Sequence, residues 1–313
     1  MTRRFSDMAV RPVSLGIISL SMLAAAGCRD TSRNDSASFR ASLPPVFSLG
    51  PVSSTNWDVN AGPIMLVSMG SGFDSAAIVL PEVTDSTMEA VQGIAPPLSG
   101  LVFEVFGRSG NVDSSTVTSL ATTGNVRDCY AWPAARVQSA HASWRVGLVR
   151  GNVRVIALDS IGSLSSADSA SLAASLAQSA ATLTVSADPV FRRLPFRVRS
   201  AYTFRLDSTE AVIADIVRSL NEEASPRIED LFLIGERPIG ATGKYTIGYF
   251  NRIAGAEETI QATDVLAAVE MRASKRPAVI VNVESEEGAQ LGFIERVGAE
   301  QWRYTWKSAY TDC

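Results

Sequence analysis

Beyond residue 46, apolar and polar positions alternate mostly with a period of two, the signature of a strand with one face buried. Ile64-Met65-Leu66-Val67 and residues 76–80 flank Gly70-Ser71-Gly72, which predicts a hairpin. Leu101, Phe103 and Val105 alternate with Val102, Glu104 and Phe106, a further strand. Trp144, Val146 and Leu148 lead through Arg150-Gly151-Asn152 to Val153, Val155 and Ala157, which predicts a second hairpin. Residues 111–125 are rich in Ser and Thr and carry only weak patterning. One segment changes period: Leu172, Leu176, Ala180 and Leu183 share a helical face, Ser165 can cap the helix with Asp168 three places on, and Asp188-Pro189 closes it.

From residue 191 the pattern predicts an antiparallel meander. Val198, Tyr202, Phe204 and Leu206 are expected on one face, with Arg197, Arg199, Thr203 and Arg205 on the other. Leu231 to Ile234 is short and wholly apolar, as a strand buried on both faces would be. Tyr245, Ile247 and Tyr249 alternate after the turn Gly240-Ala241-Thr242-Gly243, as one face of a strand. Val279, Val281 and Val283 precede Glu286-Glu287-Gly288, and Leu291 and Phe293 begin the return strand. Trp302, Tyr304 and Trp306 point inward against Arg303, Thr305 and Lys307. Val212, Ile213, Ile216, Val217 and Leu220 fit a helix, yet their surroundings favour strands, so periodicity leaves residues 209–223 open. The expected fold is mainly β, a β-rich α+β chain of antiparallel meanders with one or two helices. The alternative is a β-propeller, because residues 265–310 have the length of one four-stranded blade.

The first residues follow other rules. Arg3, Arg4 and Arg11 form a positive leader, residues 12–23 are uncharged and mostly apolar, and Ala24-Ala25-Ala26-Gly27 leads to Cys28. Such an apolar run is shorter than the roughly 20 residues a membrane-spanning helix needs but suits an export signal. The stretch resembles a bacterial lipoprotein signal peptide. That resemblance implies removal of residues 1–27, a diacylglycerol on the Cys28 thiol and acylation of the new amino terminus. It also implies a lipid anchor in the cell envelope; Arg29 after the cysteine, with Asp30 one place later, leans toward the outer membrane, facing the periplasm or the cell surface. The bland alternatives are an ordinary secretory signal with a chance cysteine, or a short buried helix. Residues 28–45 are polar, close with Pro44-Pro45 and read as a disordered tether, at most about 60 Å long at the per-residue limit of an extended chain. The body then divides into a β-rich part, 46–190, with its helix near 165–183, and the meander 191–313.

Composition narrows the partners. Residues 1–27 carry three arginines against Asp7, so removing them takes the formal charge from −4 to −6. That acidity argues against nucleic acid, whose partners present a basic field. With Cys28 lipidated, Cys129 and Cys313 remain as an even pair in an oxidising compartment. A bridge between them would close a long loop and stabilise the fold by about 5 kcal/mol in the chain-entropy model. Two buried thiols, or a free thiol at the C-terminus, are the alternatives.

Candidate chemistry is sparse. Gly70-Ser71-Gly72 is half a dinucleotide fingerprint, but Pro81 ends the segment where the helix should start, so a hairpin turn fits better. His141 is the only histidine; it could serve a nucleophilic triad, but a loop or strand-end position is the simpler reading. One histidine does not assemble a zinc site, and neither a metal nor a cofactor is expected. The acidic runs Glu222-Glu223, Glu229-Asp230, Glu257-Glu258 and Glu284 with Glu286-Glu287 read as solvated turns, since neighbours on a strand face opposite ways and cannot flank one bond. The Trp302, Tyr304 and Trp306 stripe could be a carbohydrate platform, but aromatics at period two are more often core. The sequence thus points to a lipid-anchored envelope protein that binds, assembles or supports. Its partners are the membrane, through its lipid, and envelope proteins or glycans. An anchored hydrolase acting on envelope glycans or peptides is the rival. For the pairing of Cys129 with Cys313, reduction of the purified protein should add the mass of two hydrogens. Two free thiols in unfolded, unreduced protein would end that assignment.

Overall fold

The computed structural model describes residues 63–68, 75–79, 98, 100–121, 132, 134–139, 143–183, 189–220, 226–285, 288–308 and 310–312. All of them belong to one unit, Leu43–Cys313. The described chain is mainly β, its sheets antiparallel, with a long helix between residues 166 and 182; no propeller is present.

Strands β1 (Met65–Ser68), β2 (Ser75–Val79), β3 (Val102–Phe106), β4 (Val112–Ala121), β5 (Ala134–Ser139) and β6 (Val146–Val149) close into a barrel in the order β1-β2-β5-β4-β3-β6. β1 and β2 pair antiparallel from Met65–Val79 to Ser68–Ala76, as the first hairpin requires. β4 comes from the weakly patterned Ser/Thr stretch. Its Ser115 and Val117 are buried while Ser114 and Thr116 are more open, so the alternation exists but is carried partly by a serine. Closure leaves the barrel no free edge, which a sheet of strands this short needs.

The predicted second hairpin is corrected. Asn152 does close the turn onto the Val149 carbonyl at 3.2 Å, but β6 and β7 (Val153–Ile156) do not pair with each other. β6 pairs with β1 and β3 in the barrel, whereas β7 pairs with β13 in a different sheet. The turn therefore joins two sheets. Local patterning identifies strands and turns but not the lane each strand enters.

Beyond the barrel lie two more sheets and the helix. β8 (Asp159–Ser160), β9 (Arg197–Arg205), β10 (Thr209–Leu220), β11 (Arg227–Pro238) and β12 (Thr246–Ala256) form one sheet, in the order β12-β11-β10-β9-β8. β13 (Ala262–Met271), β14 (Arg276–Ser285), β15 (Gly288–Gly298) and β16 (Gln301–Lys307) form the central sheet with β7, and β17 (Thr311–Asp312) also pairs with β15. The blade-length segment is thus a four-strand meander, as its length suggested, but it is part of a larger sheet buried on both faces. Residues 209–220 are strand β10, and their continuous burial explains the ambiguous period. Helix α1 (Ser166–Thr182) starts where expected: Ser165 Oγ accepts the Asp168 N–H at 3.2 Å, and Leu172, Leu176 and Ala180 are buried.

Three apolar layers hold these parts. Leu266, Val269, Ile280, Leu291, Phe293 and Trp306 of the central sheet pack with the barrel residues. The sheet's other face, with Val265, Ala268, Val279, Val281, Ile294 and Trp302, packs on Phe204, Ile213, Phe232 and Ile234 of the second sheet. The far face of that second sheet, with Val212, Ala214, Ile216, Leu231 and Leu233, packs on α1. Leu231 to Ile234 serves both of its faces, as a run of four apolar residues must.

Three stripes expected on single faces are split by one-residue bulges, another correction. In β16, Phe293 faces Trp306 but Ile294 faces Tyr304, so Thr305 is an extra residue. Trp302 and Tyr304 accordingly lie between the two sheets, and Trp306 lies on the barrel side. Gly248 in β12 likewise separates Ile247 from Tyr249, and Arg199 in β9 separates Val198 from Tyr202 and Phe204. An extra residue shifts the alternation by one place and sends the later side chains to the opposite face.

Close approach fixes Gly292 in the central sheet, because a Cβ there would overlap the ring of Tyr304. Gly292 is buried and Tyr304 is half-buried against the layer between the sheets, so the ring must shift to admit a methyl group. Gly292→Ala is expected to cost about 1–3 kcal/mol, typical of overpacking, and to lower the urea midpoint with little change in slope.

Candidate functional site

Four groups of ionisable side chains sit on the sheet β8–β12, and their burial separates structural from accessible chemistry. Glu236, on β11, is fully buried between the sheets. Its Oε1 accepts from Arg296 Nε and from the Trp302 indole N–H, each at 2.7 Å, and its Oε2 accepts from Arg296 Nη2 at 2.7 Å and Thr209 Oγ1 at 3.2 Å. Burial alone would raise its pKa, but these donors and the Arg296 charge outweigh it and hold the carboxyl below its ordinary value. The group bolts β11 to β15 and β16. A fully satisfied buried carboxylate of this kind specifies how two sheets align.

The adjacent acids Glu229 and Asp230 are not in a solvated turn, as expected from sequence, but in β11, where alternation sends them to opposite faces. Glu229 faces the helix side and pairs with Arg218, directly across on β10, and with Arg252 of β12. The Arg218 guanidinium lies 4.5 Å from the Phe196 ring centroid and 5.9 Å from that of Phe191, a desolvated cation–π setting.

Asp230 faces the other sheet and meets Asp215 of β10. Arg199, the bulged residue of β9, reaches both, with Nη1 at 3.3 Å from Asp215 Oδ2 and Nη2 at 2.9 Å from Asp230 Oδ2. The bulge that splits the apolar stripe thus places this arginine. One cation serves two carboxyls that also hydrogen-bond each other. Burial, followed by the charge of Asp230, pushes Asp215 up to about 7 against the opposing pull of Arg199. Burial also raises Asp230, again against Arg199. The two side chains are 8% and 6% exposed, so no substrate reaches them while the sheets stay together.

The accessible chemistry lies where α1 meets the lip of the second sheet. A cleft of about 580 Å³ opens there. Leu164, Asp168, Ser171, Leu172, Ala174, Ser175 and Gln178 line its helix side; Thr203, Glu210, Arg237 and Tyr245 line the sheet side, and residues 241–244 form the lip. Glu210 and Arg237 are cross-strand partners on β10 and β11. Glu210 Oε1 accepts from Arg237 Nε at 3.0 Å, Arg237 Nη2 at 2.6 Å and the Tyr245 hydroxyl at 2.6 Å. Arg237 lies 4.4 Å from the Tyr245 ring centroid. Burial and the Glu210 hydrogen bond raise the Tyr245 pKa, so the hydroxyl stays protonated as the donor. Ser175 Oγ donates to the Gly243 carbonyl at 3.2 Å and ties the lip to the helix. The wall is therefore preset. A second cavity, of about 310 Å³, lies at the barrel beside Asn111, Asp113, Ser143 and Trp144.

Cys28, Cys129, Cys313 and His141 lie outside the described residues, as do Glu222, Glu223, Glu286 and Glu287. Glu257, Glu258 and Glu284 are exposed, as solvated acids should be. Trp302 and Trp306 are 3% and 8% exposed, so the aromatic stripe is core and offers no carbohydrate platform. No group of metal ligands forms among the described residues, and no helix among them is long and apolar enough to cross a membrane. The cleft residues escape sequence reading because they come from α1, three strands and a loop, with no shared local motif. Of them, Asp168 carries a local signal, through its cap with Ser165. No family model, curated protein or solved structure matches the chain.

Asp215 has a consequence for stability against pH. Between about pH 4 and pH 7 the unfolded chain gives up this proton while the folded chain keeps it. Its contribution to stability therefore falls as pH rises through that window and is level above it. Asp215→Asn removes the titration and keeps the shape. Relative to the parent, the variant should gain a few kcal/mol between pH 4 and pH 8, since each tenfold change in proton affinity is worth about 1.4 kcal/mol. Urea unfolding across that range checks this; parallel curves would show that the two aspartates are not coupled to folding.

Proposed function

We propose that this chain is a lipid-anchored extracytoplasmic protein of the bacterial cell envelope with a binding role, and that the cleft between α1 and the sheet lip is where it binds. The single observation that carries the binding site is the cleft's preset polar wall: Glu210, Arg237 and Tyr245 hold one another before any ligand arrives. Its volume, about 580 Å³, falls in the range of small-molecule sites. Preorganised groups lose little freedom on binding, so contacts made there are retained as affinity. The anchor rests on the leader, the apolar run and Cys28, and a tether of residues 28–45 would keep the body near its membrane, with Arg29 favouring the outer one. The envelope offers proteins and glycans as partners.

The hydrolase reading has less support. The carboxyl pair with the strongest shift, Asp215 with Asp230, is closed between two sheets rather than open to a cleft. In the accessible cleft, Glu210 Oε1 already accepts from Arg237 and Tyr245, and no second carboxyl is paired with Glu210 there as a glycosidase would need.

Two measurements test the proposal. Cells supplied with labelled palmitate should label the parent chain and not Cys28→Ala; label on the variant would remove the anchor. Saccharide and peptide fractions released from the envelope should raise the melting temperature of the full chain, a gain of about 2.7 kcal/mol at a hundredfold excess over Kd. Ala174→Trp, which fills the cleft from an exposed helix position, should abolish that gain. A shift equal in both proteins, or absent from both, would overturn the cleft as the binding site.

A further inference from the structure

The charges of the cleft are unequally committed, and that inequality defines a ligand. Asp168 holds the helix cap, with Ser165 Oγ bonded to its Oδ2 at 2.6 Å. Glu210 Oε1 takes three donors, two of them from Arg237. Lys244, by contrast, is exposed on the lip, and the ion pairs among the described residues do not use its ammonium. Arg237 gives Nε and Nη2 to Glu210, which leaves its Nη1 for a ligand. The two acids and two bases of the lining balance in formal charge, but the donors left over for a ligand are cationic, the Lys244 ammonium and Arg237 Nη1, although the chain as a whole is acidic.

The rest of the lining sets the body of the ligand. Ser171 and Gln178 are exposed along the helix side and Thr203 is half-buried on the sheet side; their hydroxyls and amide can both donate and accept. Sugar hydroxyls have the same dual capacity. Leu164, 37% exposed, offers an apolar spot that the C–H face of a sugar ring can cover. A stacking platform is not on offer, because Tyr245 is 4% exposed and Arg237 covers its ring. An acidic peptide fits less well. It would need backbone partners, and the Gly243 carbonyl on the lip is already taken by Ser175.

We infer that the cleft takes an anionic saccharide, with its carboxylate or phosphate held between Lys244 and Arg237 and its hydroxyls along α1. This rests on the binding role proposed for the cleft and names its substrate class. Calorimetry on the full chain in detergent tests it with matched short oligosaccharides, one neutral, one bearing a uronate and one bearing a phosphate, and with an acidic tripeptide. At least one acidic sugar should bind about tenfold more tightly than the neutral one, and raised salt should shrink the gap. The uronate and phosphate arms identify which anion is preferred. Lys244→Gln should remove most of that preference and leave the part that Arg237 supplies. Equal affinity for neutral and acidic sugars, a preference undiminished in Lys244→Gln, or tighter binding of the tripeptide would overturn the inference. If the neutral sugar binds and Ala174→Trp blocks it while no acidic preference exists, the binding role stands and only the ligand class falls. If no saccharide or peptide binds the parent chain, both fall.

Discussion

The sheet β13–β16 must bury both of its faces at once, and the rest of the body is arranged around that requirement. One face lies on the barrel through Phe293, Trp306 and Ile280, the other on the second sheet through Val279, Val281 and Ile294. A strand buried on both faces cannot use simple alternation, so its sequence runs apolar through Val265-Leu266-Ala267-Ala268-Val269 and Leu291 to Ile294. Apolar packing alone tolerates sliding of one sheet over another. Glu236, with Arg296, Trp302 and Thr209 on it, supplies the direction that packing lacks.

Bulges reconcile two-sided burial with the side chains available. Thr305 lets one strand place Trp302 between the sheets and Trp306 against the barrel, so two large aromatics fill two different layers. The bulge at Arg199 does more, because it brings a cation to the Asp215 and Asp230 pair that would otherwise be two buried acids with no countercharge. Bend and charge are thus one feature. The same alternation puts Glu229 and Asp230, neighbours in sequence, into separate networks on opposite faces.

Charge on β10 and β11 is divided between sealed and accessible groups, with Glu236 sealed between the sheets beside the accessible Arg237. At the ends of the two strands that hold Arg218 and Asp230, the ionised groups are sealed by aromatic rings or by the facing sheet. At the other ends Glu210 and Arg237 look into solvent beside α1. Burying an ion pair is costly unless its geometry is good, which suits the sealed groups to holding the fold in one alignment. Water-accessible groups that are already oriented suit recognition. The separation is why the proposed binding role is placed at the helix side.

Period and composition alone were enough for the class of fold. The strands at 65–68, 75–79 and 102–106, the capped helix, and the meander from β13 to β16 were legible because local burial imposes a local period. The signal-like segment ending in Cys28 lies outside the described residues, and its reading as an export signal is a proposal from linear sequence alone. Sequence did not yield the features that depend on partners far along the chain. The turn at Arg150-Gly151-Asn152 was plain, but only pairing decided that β6 closes a barrel while β7 joins another sheet. Residues 209–220 had no decisive period because both faces are buried, and tertiary contact alone made them a strand. A one-residue bulge leaves no mark in composition, so Arg199, Gly248 and Thr305 looked like ordinary alternation. The cleft was hidden for the same reason: Asp168, Glu210, Arg237 and Lys244 are scattered along the chain and meet only when the helix is laid on the sheet.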